Sequence, residues 1–197
     1  MSEAVHELAH DATHEAAHSG KGEAKLIGLL IAILALFLAV SEMLGKSTQT
    51  HGLALNIEAS DTWNFYQAKT IRQTVLRAAL ENAKIANPAP SPEAAKQFAA
   101  WQANIDRWES EPDKGEGRKE LLAKAQNVEH HRDEEFEKYH AYEVASLIIQ
   151  LGIVLASVAL LSSVMAFAYA AGALGVLGLV VLVSTYTSFA PVTHLLH

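Results

Sequence analysis

The chain has 197 residues, with 22 Asp and Glu against 15 Lys and Arg, a formal net charge of −7 and no cysteine. Without cysteine, disulfides, thiolate catalysis, iron–sulfur clusters, attached c-type haem and cysteine zinc sites are excluded, and only oxygen and imidazole remain as metal ligands. The acidic balance extends over both polar parts of the sequence, so there is no basic footprint for nucleic acid and no polybasic collar for anionic lipid.

The first element is the tail. Residues 3–18 form four tetrads, Glu-Ala-Val-His, Glu-Leu-Ala-His, Asp-Ala-Thr-His and Glu-Ala-Ala-His, which place His6, His10, His14 and His18 one helical turn apart. Adjacent imidazoles at this spacing suit zinc, nickel or copper, with Glu7, Asp11 or Glu15 as an oxygen ligand. A period of four residues drifts by about 40° per step around a 3.6-residue helix, so the four histidines do not share one site. The alternative is an alanine-rich amphipathic helix with Ala4, Leu8, Ala12 and Ala16 on its inner stripe. Residues 1–25 therefore read as an acidic helical tail, structural first, with weak zinc or nickel binding as a side property and no other cofactor.

Residues 26–44 carry one charge, Glu42, and reach roughly 28 Å as a helix, enough to cross a bilayer core. The preceding stretch is acidic, with Glu3, Glu7, Asp11, Glu15 and Glu23 against Lys21 and Lys25, unlike the basic start of a signal peptide. Residues 26–45 are accordingly an uncleaved first span. Near its end Glu42 precedes Lys46 by one turn in the favourable acid-before-base order, an interfacial ion pair.

Residues 46–143 form a long soluble insert that reads as helix throughout, without the two-residue alternation of a sheet. Its first arm, 60–85, places Ala68, Ile71, Val75, Ala78, Asn82 and Ile85 at heptad spacing. Asn87-Pro88-Ala89-Pro90-Ser91-Pro92 ends that arm, because proline lacks an amide hydrogen and biases its predecessor away from the helix. Ser91, Pro92 and Glu93 then supply an N-cap, a first-turn proline and an acid at the positive end of the dipole. In the helix over 92–110, Ala94, Phe98, Trp101, Ile105 and Trp108 fall on one narrow stripe. The sequence from Pro112 to Gly117 breaks the pattern, and a last arm, 118–143, runs into the membrane. Arms of equal length leave and return to one membrane face, so the middle helix has no obvious place as a third antiparallel pass. Its stripe, with Ile71 and Val75, is expected at an oligomer interface, the plainer alternative being that both tryptophans pack in a helical core.

Within the first arm, the run Ala59-Ser60-Asp61-Thr62-Trp63-Asn64-Phe65-Tyr66-Gln67-Ala68-Lys69 follows a first span and a His/Glu-rich tail. It resembles the bacterial membrane proteins grouped as the domain-of-unknown-function 4337 family, and the similarity covers the whole layout. The resemblance implies this architecture and a bacterial source, hence a multi-pass protein of the bacterial inner membrane, and it lends no activity or ligand. On a helix Trp63 and Tyr66 sit one turn apart with Lys69 three residues on, an aromatic pair with a cation beside it at the stalk base, next to Gln67. The bland alternative is helix–helix packing.

Residues 144–193 contain no Asp, Glu, Lys, Arg or His. They divide at Tyr169-Ala170-Ala171-Gly172 into spans 144–168 and 172–190, followed by a short tail, 191–197. Gln150 is the one amide of the second span. Gly172, Gly175 and Gly178 make a small-residue ridge for close approach.

The fold class is thus all-α: an integral membrane protein with three transmembrane helices and a long, coiled-coil-like insert between the first and second. No nucleophile–base or metal–carboxylate constellation is visible, which points away from an enzyme. The expected role is a non-enzymatic oligomeric scaffold, embedded in membrane lipid and self-associating, with an unidentified membrane-protein partner as a further option. The competing reading is a subunit of an oligomeric channel or a metal-responsive transport accessory. Three spans place Lys25 and the 112–117 loop on opposite sides of the membrane. Single cysteines introduced there should label from opposite faces, and labelling of both from one side would refute the topology.

Overall fold

The computed structural model describes residues 2–18 and 22–189. They form five helices and, among the described residues, no strand: α1 (Ser2–His18), α2 (Gly22–Ala86), α3 (Pro92–Glu109), α4 (Arg118–Ser162) and α5 (Met165–Phe189). Of these, α2, α4 and α5 are long and apolar enough to cross a membrane. The side chains of Glu15, Ala16 and His18, the last residue of the expected third span and the tail 191–197 lie outside the described residues. The chain divides into two compact units, one of residues 1–50 with 134–197 and one of residues 51–133.

In the unit of residues 51–133, α2 is the longest element and the other helices run back along it. Gln73 meets Ile105, Tyr66 meets Arg118 and Glu58 meets Lys124. Position falls along α2 as it rises along its partners, which defines antiparallel pairing. The return is therefore shared: α3 accompanies the outer stretch of α2, and α4 takes over near Tyr66. This differs from the expected pair of equal arms with a surplus helix. Because α2 extends past the start of α4 by about the length of α3, no third pass arises.

The caps of α3 follow from its sequence. Ser91 accepts a hydrogen bond from the Ala94 amide at 3.3 Å, Pro92 occupies the first turn, and the Ser110 amide closes the far end on the Asp106 carbonyl. The apolar stripe of α3 is turned toward its own chain. Ile105 is 2% exposed, and Ala94, Phe98, Trp101 and Trp108 are half-buried. This corrects the expectation that the stripe lacks a partner within the protomer. Ile71 and Val75 behave differently and remain 64% and 63% exposed.

The unit of residues 1–50 and 134–197 packs α1 and the first part of α2 with the end of α4 and with α5. Ile31, Leu38, Ile149 and Ile153 are its largest fully buried apolar side chains, joined by Ala156, Ala159 and Ala171. Ala9 and Ala12 of α1 belong to the same core, with Val5 packed against it. The buried face of α1 is thus Val5, Ala9 and Ala12, whereas Ala4 and Leu8 of the expected stripe are exposed. A small-residue face lets α1 lie close against its neighbours, and the tail is a fourth packed helix rather than a free extension.

The break between the last two helices falls at Ser163 and Val164, earlier than the expected Tyr169-to-Gly172 turn. Ser163 takes a left-handed backbone conformation, with φ 58°, and the Ser162 hydroxyl accepts the Val164 amide at 3.4 Å. Two serines therefore make the reversal with their own side chain and backbone, and Gly172 lies inside α5. The three glycines of α5 are not equivalent. A β-carbon at Gly178 would come within 2.6 Å of Ile149 Cγ1 and 3.3 Å of the Ala145 carbonyl, and one at Gly175 within 2.5 Å of Leu34 Cδ2. At Gly172 it would meet nothing within 4 Å. Gly178→Ala should therefore lower stability by about 1–3 kcal/mol through overpacking. Gly172→Ala should be neutral or slightly stabilising. Unfolding in mixed micelles reads the difference, and equal effects at the two positions would contradict the packing described.

Candidate functional site

Two concentrations of polar side chains stand out, one in each unit. The first surrounds the junction between α3 and α4 and is anchored on the sequence from Trp63 to Gln73. The Trp63 and Tyr66 rings meet edge to face at 5.5 Å, the arrangement that aromatic quadrupoles favour. Lys69 is 6% exposed, and its ammonium lies 5.3 Å from the centre of the Phe65 ring and 3.8 and 3.9 Å from Glu111 and Glu116. The cation over Tyr66 is Arg118, 5.7 Å from the ring centre, and it donates to the Tyr66 hydroxyl at 3.4 Å. Gln67 points to solvent.

Arg118 also donates to Glu109 at 3.1 Å, and Gln73 donates to the same carboxylate at 2.9 Å and to the Ile105 carbonyl at 3.1 Å. The first residue of α4 and the last of α3 are thereby fastened to one side of α2. The Arg118 guanidinium, with Gln73, holds the Glu109 carboxyl below its usual range, and Glu109 in turn raises Arg118. In the first turn of α4, Glu120 accepts from the Ser110 hydroxyl at 2.6 Å and the Glu111 amide at 3.2 Å, which lowers its own pKa. Gly117 is required beneath this bond, since a side chain there would strike Glu120, Glu111 and Ser110. Beside the junction lies an open cleft of about 520 Å³ that includes Glu58, Asp61, Thr62, Lys114 and Lys124.

The second concentration lies between α2 and α4 in the other unit. The Ser146 hydroxyl donates to Ser41 at 3.0 Å, Ser41 donates to the Tyr142 carbonyl at 3.1 Å, and both serines are buried. Gln150 donates to one oxygen of Glu42 at 3.3 Å, while His6 of α1 lies 3.6 Å from the other. Glu42 is thus held by Gln150 and His6 and not by Lys46, whose side chain is exposed. The expected pair gives way because Lys46, one turn on, lines a groove beside the carboxylate instead of closing on it. That groove has a volume of about 500 Å³ and is lined by Glu42, Lys46, Gln49, Tyr139, Glu143 and Gln150, among others.

The tail histidines are dispersed. His6 faces Glu42, and the His10 and His14 rings stand 5.8 Å apart. Among the described residues no group of three or more His, Asp or Glu is gathered to hold a metal ion. The Asp11 carboxylate lies 3.6 Å from His10 and supplies no third ligand to a histidine pair.

A family model described as "Domain of unknown function (DUF4337)" matches residues 23–188. The chain belongs to this family. No curated protein and no solved structure matches it. The DUF4337 match takes in both polar concentrations, with Glu42, Lys69, Glu109 and Arg118, and leaves the histidine tetrads of α1 outside. Gln73, Glu109, Arg118 and Ser41 were not singled out by the sequence. Their partners lie 32 to 105 positions away except for the Glu109–Arg118 pair at nine, beyond any helical period.

Because Glu109 and Glu120 have lowered folded values, their contribution is complete above the ordinary carboxylate range and is lost as pH falls through the folded values. The α3–α4 junction should loosen below about pH 4. Glu109→Gln should cost roughly 1 kcal/mol at neutral pH, the pair being partly solvated, and should blunt the acid response. Protease cutting within 112–117 across pH reports both, and identical acid profiles for the two proteins would remove Glu109 from this role.

Proposed function

We propose that this chain is a non-enzymatic membrane scaffold that assembles with copies of itself. The supporting observation is the seam on α2. Ala68, Ile71, Val75, Ala78, Asn82 and Ile85 are all exposed, with Ile85 at 79%, while Thr62, Lys69, Gln73 and Leu80 on the other side of the helix are buried by the same chain. One face of α2 is thus used within the protomer, and a second heptad face is left apolar and uncovered. Copies sharing a bilayer share an orientation, so their α2 helices run parallel. In parallel register Asn82 meets Asn82, the pairing by which a single polar seam position fixes register. The flanking pairs, Gln67 with Arg72, Thr74 with Ala79 and Glu81 with Ala86, set no like charges against each other. Full burial of each Ile or Val is worth about 1.5–3 kcal/mol, and anchorage in one membrane raises the effective concentration of the partner helix.

The apolar belt supports the membrane part of the reading. Leu26, Leu36, Leu151, Leu161, Val176 and Val180 are among many large side chains exposed on α2, α4 and α5, so these helices are apolar outside as well as within the core. The resemblance to bacterial membrane proteins favours a bacterial inner membrane. A second reading, a subunit of an oligomeric channel or of a metal-responsive transport accessory, is favoured by α1. Its exposed Glu3, Glu7, His10, Asp11 and His14 lie on a helix packed against the apolar ones. Ionisable groups at membrane depth face protein or water and not lipid.

Since the chain has no cysteine, Ala78→Cys should form a self-crosslink in native membranes, while Arg77→Cys, off the seam, should not. The pair Val75→Glu, Ile85→Glu should reduce the assembly to single chains. A monodisperse monomer in mild detergent, with no Ala78→Cys crosslink in membranes, would sink the scaffold. Reconstitution with and without zinc separates the second reading, since a scaffold passes no ions in either case.

A further inference from the structure

Glu42 is the one acidic or basic side chain in the apolar stretch of α2, and no such residue occurs in 144–193. An ionisable group at such a depth marks a binding or transport role by default. Its two protein partners do not use it up. A carboxylate offers about four acceptor positions; Gln150 takes one and His6 faces another oxygen, leaving capacity directed toward the groove between α2 and α4. One turn further along α2, Lys46 lines the same groove, as do Gln49, Tyr139 and Glu143 on the polar side of the first and second apolar runs. Glu143 lies 3.5 Å from His140. Below them Ser146 and Leu147 continue the lining into the apolar part, with the exposed Leu151 one turn on. The groove therefore has a charged mouth of both signs and an apolar lower rim.

We propose that this groove binds a phosphoethanolamine group, with its primary ammonium on Glu42 and its phosphate on Lys46. Residues one turn apart present their side chains from β-carbons roughly 5–6 Å apart, which suits a group whose charges are separated by a two-carbon link. The sign pattern selects against the alternatives. Two carboxylates beside one lysine disfavour a purely anionic headgroup, and a choline headgroup has no N–H for the free positions on Glu42. The Tyr139 ring lies near Gly45, at the Lys46 end of the groove. With its phosphate on Lys46, the outer of the two groups, the lipid turns inward on both sides of it, its ethanolamine toward Glu42 and its glycerol and acyl chains toward the apolar rim at Leu147 and Leu151. This inference rests on the membrane reading above and is independent of self-assembly.

The test uses the full chain in nanodiscs of phosphatidylethanolamine, phosphatidylcholine and phosphatidylglycerol in equal parts, with retained lipid per chain read by native mass spectrometry after extraction into mild detergent. Phosphatidylethanolamine should be retained at least tenfold over the other two. Glu42→Gln and, separately, Lys46→Gln should each abolish that preference. Lys46 is exposed and forms none of the core contacts, so its variant remains informative if Glu42→Gln disturbs the seat of α1. Soluble glycerophosphoethanolamine at millimolar concentration should fail to displace the lipid if the headgroup is read together with its chains; displacement would assign the site to the free phosphoethanolamine compound. Equal retention of all three lipids, or a preference unchanged in Lys46→Gln, would overturn the proposal. Failure of the membrane reading shows earlier and separately, as release of the protein from membranes by alkaline carbonate, and loss of the oligomer in Val75→Glu, Ile85→Glu should leave lipid preference intact.

Discussion

The insert depends on one short chain of hydrogen bonds, Gln73 to Glu109 to Arg118, made where α3 ends and α4 begins. A polypeptide that reverses along a long helix must at some point stop one helix and start another, and the free backbone groups at both ends then need partners. Here the problem is solved against the flank of α2. Gln73 reaches the Ile105 carbonyl as well as Glu109, and Glu120 takes up the Ser110 hydroxyl and Glu111 amide in the turn. Lys69 reaches the same loop through Glu111 and Glu116. The signature that carries the family resemblance thus lies beside the one discontinuity in the returning strand of helix, with Tyr66 under Arg118.

Much of the helical content was legible because it is local. Ser91 and Pro92 announce the start of α3, and its stripe of Phe98, Trp101, Ile105 and Trp108 has a period that needs no tertiary knowledge. What the stripe faces was not legible. Deciding between a neighbour and the same chain required the relative lengths of α2 and α4, and the sequence contains no break in α2 between Gly22 and Ala86 from which to measure them. The outcome divides the expected interface: the α3 residues turn inward, while Ile71 and Val75 stay at the surface.

The apolar half shows the same division. Composition announces α4 and α5, yet the Tyr169-to-Gly172 sequence expected to part them lies inside α5, where Ala171 is a buried core residue. The actual reversal uses Ser162 and Ser163, residues that also occur within helices and so give no distinctive signal. Glu42 was visible as an anomaly, but its partners were not. Lys46 is near in sequence; Gln150 is 108 positions away and prevails because antiparallel packing brings it level with Glu42.

The docking of α1 has a consequence for how the protein is made. Ala9 and Ala12 are buried in a cluster that includes Ile149 and Ile153 of α4 and Ala171 of α5. A ribosome delivers α1 before α4 and α5. During synthesis Ile27, Ile31, Leu34 and Leu38 of α2 follow α1 directly, whereas Ile149, Ile153 and Ala171 complete the cluster only after α4 and α5 have emerged. The bonds joining Ser41 to Tyr142 and Ser146, 101 and 105 positions apart, close in the same late step. Contacts of such long separation are slow to form, so the core around α1 is completed late.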